Sequence, residues 1–73
     1  MNINVLALNQ AMDLAGVGTK QGYCRTISPQ HYAKAAGLEW YAARAQLREY
    51  SRCGFLIANK GGKFYVKEFS VDD

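Results

Sequence analysis

"SPQHYAKAAGLEWYAARAQLREYSRCGFL", residues 28–56, decides how this chain folds. Ser28 is a good N-cap, and Pro29 suits the first helical position, where no amide hydrogen is needed. The helix so started runs to Ala36 and stops at Gly37, because glycine accepts the turn conformation that a Cβ resists. After Leu38 a second helix begins. Ala43, Leu47, Tyr50 and Gly54 then recur at spacings of four, three and four, which is one face of a helical period. Two helices joined by so short a turn, with the small Ala33 four residues before Gly37, describe a helix-turn-helix. The second of them poses a problem. Arg44, Arg48 and Arg52 stand one turn apart, with Trp40 one turn earlier, and like charges at this spacing destabilise a helix.

On the N-terminal side, "NINVLALNQAMDLAG" reads as an amphipathic helix over about 3–15. Val5, Leu8, Met12 and Ala15 form its inner face, Asn2 or Asn4 its cap and Gly16 its stop. "GVGTKQG" (16–22) is a loop; it fails the phosphate-loop pattern because Tyr23 follows Gly22. "YCRTI" (23–27) is β-branched and aromatic enough for a short strand. On the C-terminal side, apolar residues flank "NKGG", the chemistry of a hairpin turn, and "SVDD" ends the chain on acidic residues. The expected order over residues 1–73 is a single α+β domain. It comprises helix 1 at about 3–15, a loop and strand at 16–27, helix 2 at about 29–36 and helix 3 at about 39–53. A hairpin at 55–69 and an acidic tail at 70–73 complete it.

Charge is concentrated. Residues 1–19 carry only Asp13. Residues 20–67 hold all nine Lys and Arg against Glu39 and Glu49, a net of +7, and residues 68–73 add three acids, so the overall +3 conceals a basic middle. Such clustering points to a polyanionic partner rather than to ordinary solubilising charge. Seventy-three residues leave little surface for a catalytic cleft, and no Ser/His/Asp or Cys/His set is evident, so an enzyme is not expected. Cys24 and Cys53 are 29 apart with only His31 as a companion, which falls short of a four-ligand zinc site. Two reduced thiols, no cofactor and no metal are expected. "VLAL" is too short for a signal peptide or a membrane span, which implies a cytoplasmic protein with no membrane partner; with no enzyme expected, no small-molecule substrate is expected either.

Residues 28–56 resemble the core of the winged helix-turn-helix superfamily. Ser28, Tyr32, Ala33, Ala36, Gly37, Leu38, Ala43, Leu47, Tyr50, Gly54, Phe55 and Leu56 occupy its patterned positions without a gap. Small members include fimbrial phase-variation regulators of the PapI type and phage regulators and excisionases. The resemblance implies three helices and a C-terminal β-hairpin wing, with a short strand before helix 2. It also implies that helix 3 enters the major groove of double-stranded DNA while the wing lies on the backbone. Glu39 departs from the pattern, standing where a Ser or Thr usually caps helix 3, though its charge suits the positive end of the dipole.

The helical period agrees with that docking. With Ala43, Leu47, Tyr50 and Gly54 inward, Tyr41, Ala45, Arg48, Glu49 and Arg52 point outward and Arg44 sits on the shoulder. The expected DNA-binding residues are Gln30, Trp40, Tyr41, Arg44, Arg48, Arg52, Lys60 and Lys63. Each has a plainer alternative. Arg44 and Arg48 could be solvated, Arg52 could offset the helix dipole, Trp40 could be half-buried packing, and the hairpin lysines could protect a sheet edge. His31 is read as a surface residue. The expected function is a sequence-specific transcriptional regulator of the nucleoid, aided by a homodimer or a protein co-regulator. A protein-binding adaptor using Tyr23, Tyr32, Tyr41, Tyr50 and Tyr65 is the rival, and an excisionase-like DNA-bending role is a third alternative.

Overall fold

The structure, a computed structural model, describes residues 3–22, 24–58 and 61–66. It is a small α+β arrangement of three helices and a three-stranded antiparallel sheet, compatible with a winged-helix-like layout. Lys60, Tyr23 and the acidic tail, on which part of the sequence reading rested, lie outside the described residues.

Helix α1 spans Val5–Ala15, starting where the Asn4 side chain accepts a hydrogen bond from the Ala7 amide at 3.1 Å. Its buried residues are Ala7, Leu8, Ala11 and Met12, so the expected face of Val5, Leu8, Met12 and Ala15 is rotated by about 50° at helical pitch. Val5 is half-exposed and Ala15 only partly buried. The physical reason is size. Ala7 and Ala11, four apart, are small enough to be buried in the core by a helix that packs on α2, and the branched valine is left at the rim. Gly16 ends the helix with an ordinary negative φ of −91°, its amide donating to the carbonyls of Met12 and Asp13. The loop that follows returns to the helix where the Cys24 amide donates to the Met12 carbonyl at 2.9 Å.

Helix α2, Pro29–Ala36, has the boundaries that its local chemistry dictates. Ser28 Oγ accepts from the His31 amide at 3.3 Å, Pro29 fills the first turn, and Gly37 takes the left-handed conformation at φ 69°. Helix α3, Trp40–Arg52, follows. Glu39 makes no side-chain capping bond, as expected of a poor N-cap. At the other end the Gly54 amide donates to Ser51 and the Phe55 amide to Tyr50, the paired bonds of a Schellman stop, with Gly54 at φ 87°. Gly54 is exposed, so it terminates the helix and does not belong to the inward seam as the spacing had suggested. Ala43, Leu47 and Tyr50 do face inward.

The sheet has the order β1-β3-β2. Strand β1 is only Thr26–Ile27, shorter than the five residues expected. Strands β2 (Leu56–Ala58) and β3 (Phe64–Val66) form the hairpin, with Leu56 opposite Val66 and Ala58 opposite Phe64. Strand β1 pairs with the outer side of β3, Ile27 opposite Phe64, and this fastens the hairpin to the helical core. The core joins Leu8 and Met12 of α1 to Ile27, Tyr32, Leu47, Leu56 and Phe64.

One polar cluster lies within it. Tyr32, with no exposed surface, donates its hydroxyl to Gln46 Oε1 at 2.6 Å, and the Tyr50 hydroxyl lies 3.1 Å away. The Asn4 amide donates to Tyr50 Oη at 3.1 Å, tying the start of α1 to α3. Among the described residues no buried side-chain polar atom lacks a partner. Burial, aided by the hydrogen bond with Tyr50 and its charge, raises the Tyr32 phenol above its ordinary range.

Candidate nucleic-acid interface

Helix α3 presents its cations as a spiral, not a column. A step of four residues advances the direction by about 40° and the height by about 6 Å, so Arg44 leans toward the hairpin and Arg52 points straight outward. Each arginine also meets a different surrounding. The Arg44 guanidinium sits 5.7 Å from the centre of the Trp40 ring, a cation–π arrangement. Arg52 pairs with Glu49 at 3.0 Å, an exposed bridge worth about 0–1 kcal/mol. Arg48, between them, is exposed. The repulsion that the sequence raises is thus eased in part by winding, by an aromatic face and by one acid.

The hairpin leans against this helix and turns the shoulder into clefts. One, of about 480 Å³, lies between Arg44, Arg48 and Arg52 on the helix and Ala58, Gly62 and Phe64 on the hairpin. Ser51 adds a hydroxyl to its wall. A second, of about 370 Å³, lies between Pro29 and Gln30 at the start of α2, Trp40 and Arg44 on α3, and Gly62 and Lys63 on the hairpin. Arg44 and Gly62 border both, so the two clefts adjoin. A smaller hollow, of about 270 Å³, is lined by Ala45, Arg48, Glu49 and Arg52.

Of the eight residues singled out from sequence, the structure brings Gln30, Trp40, Arg44 and Lys63 around one cleft and Arg48 and Arg52 into its neighbour. Tyr41 is 78% exposed and meets Trp40 edge to face at 5.1 Å. Lys60 lies outside the described residues. Trp40, on the shoulder of the inward face, is half-buried. The ring keeps 45% of its surface exposed and meets Tyr41 edge to face and the Arg44 guanidinium. His31 is only partly buried, its Nδ1 3.2 Å from Ser28 Oγ beside the cap. Sequence reasoning missed Ser51, Ala58 and Gly62. Only Ser51 left a signal, since it falls on the same shoulder as Arg44 when the helix is unrolled.

Among the described residues no group of three or more His, Cys, Asp or Glu is placed to hold a metal. No described helix is long and apolar enough to cross a membrane. Comparison with protein families, curated proteins and solved structures returns no match.

Proposed function

We propose that this protein is a winged helix-turn-helix regulator that binds double-stranded DNA, with α3 in the major groove and the hairpin along the backbone. The supporting observation is convergence. Gln30, Arg44 and Lys63, from three separate segments, border one cleft, and Arg44 carries that cleft into the row of Arg48 and Arg52. Nothing in the helical core requires this gathering of cations, and phosphates would remove their mutual repulsion. Regulation would act by occupancy, and so small a module gains useful affinity through a second copy, a repeated site or a protein partner.

The test is a binding titration on random and selected duplexes at several salt concentrations. With about five phosphates neutralised, log K falls with log salt at a slope near −4 to −5. An affinity for duplex DNA that does not respond to salt removes the proposal. The adaptor alternative draws on the exposed Trp40 and Tyr41, residue types that dominate protein interfaces. It loses Tyr32 and Tyr50, which the core buries. Reversing Arg44 and Arg48 to glutamate separates the two, because an adaptor without DNA affinity keeps its function.

A further inference from the structure

Trp40, the chain's single tryptophan, stands exposed at the edge of a concave, cationic cleft. The geometry points to a site for one unpaired nucleotide there, the base stacked on Trp40, its edge read by Gln30 and its phosphate held by Arg44 and Lys63. The proposal rests on the regulator reading only for the source of the nucleotide.

Four observations carry it. The first is size: about 370 Å³ falls at the small end of ligand pockets, which suits a base and its phosphate. The second is the aromatic wall. A base inside a duplex has both faces covered by its neighbours, so an indole face is useful chiefly to a base that has left the stack. The third is the polar rim. Gln30 is exposed at the start of α2, and its carboxamide offers donors and an acceptor, the combination that pairs with a base edge once its complement is gone. The fourth is charge placement. Arg44 reaches the cleft from above the Trp40 ring, and Lys63 faces it from the hairpin beside Gly62, where no side chain holds the backbone away. Stacking surface, edge-reading amide and two cations therefore converge from α2, α3 and the hairpin.

Trp40 is its own reporter. Its fluorescence is followed while the full chain is titrated with thymidine monophosphate, with oligothymidylate and with a matched duplex. Oligothymidylate is expected to quench it. Anisotropy of a labelled oligothymidylate then compares variants: Trp40→Ala weakens binding about tenfold, within the range of one stacked base, and Trp40→Phe restores it to within about threefold. Duplex affinity of Trp40→Ala falls by clearly less than its single-strand affinity, since a paired base gains no stacking there. If the monophosphate binds as tightly as the oligomer, the site belongs to free nucleotides. If the oligomer binds about tenfold tighter or more, it belongs to an unpaired position in a strand. Either supports the site. Absence of quenching by both, or an equal fall of single-strand and duplex binding in Trp40→Ala, overturns it. Loss of duplex binding with quenching retained would sink the regulator proposal alone.

Discussion

Tyr32 and Tyr50 meet edge to face at 6.2 Å and 85°, and Trp40 and Tyr41 at 5.1 Å and 86°. The ring geometry is nearly shared; the surroundings are opposed. The first pair is enclosed by α1, α2 and α3, and its hydroxyls are satisfied by Gln46 and by the Asn4 amide. The second projects from the first turn of α3 beside Arg44. An aromatic pair with its polar atoms closed off fixes the relation of three helices. The same pair in the open offers ring surface to something else. Position along the helix makes the difference, because Tyr50 falls on the inward face and Trp40 and Tyr41 do not.

The sharpest way to break this contrast is Tyr32→Ala, which should cost about 3–5 kcal/mol, enough to unfold much of so small a domain. Trp40→Ala should leave the urea midpoint nearly unchanged. Equal losses in the two would dissolve the distinction. Next is Arg48→Ala, which should leave stability alone, weaken duplex binding by about 1–3 kcal/mol and make the salt slope shallower by about 1. A change in unfolding midpoint with no change in slope would assign Arg48 to the fold.

Tyr32→Phe is gentler and sharpens the same comparison through pH. Because burial raises the Tyr32 phenol, its contribution is fully present below about pH 10, the ordinary tyrosine value, and is lost as pH climbs from there through the higher folded value. Thermal midpoints followed from neutral to alkaline pH should therefore fall more steeply in the parent than in Tyr32→Phe. The variant itself loses about 1 kcal/mol at neutral pH through the missing hydrogen bond. Parallel curves would show that another group governs alkaline unfolding. The smallest effect concerns the two helix starts. Ser28→Ala should cost about 1 kcal/mol, while Glu39→Ala, which removes no capping bond, should stay within about 0.5 kcal/mol in a chemical denaturation series.

What could be seen in the sequence follows the range of the forces involved. The limits of α2 were legible to the residue, because Ser28, Pro29 and Gly37 act within one turn of themselves. The inward placement of Ala43, Leu47 and Tyr50 was legible because it needs only a period. The face of α1 was only half legible: Leu8 and Met12 are buried as their spacing implies, but choosing between Val5 and Ala7 depends on distant segments that pack against the helix. Gly54 was drawn into a hydrophobic seam by its spacing, although its backbone conformation is what the chain uses. The candidate site divides along the same line. The cations Arg44, Arg48 and Arg52 were legible on one helix. Their meeting with Gln30 and Lys63 was not, because it depends on β1 fastening the hairpin across the end of α3.

The winding of the arginine row carries a consequence for shape. Advancing about 40° for every 6 Å, the row is a shallow right-handed screw. A partner that engages all three guanidinium groups has to follow that turn around the helix rather than lie flat against one side of it.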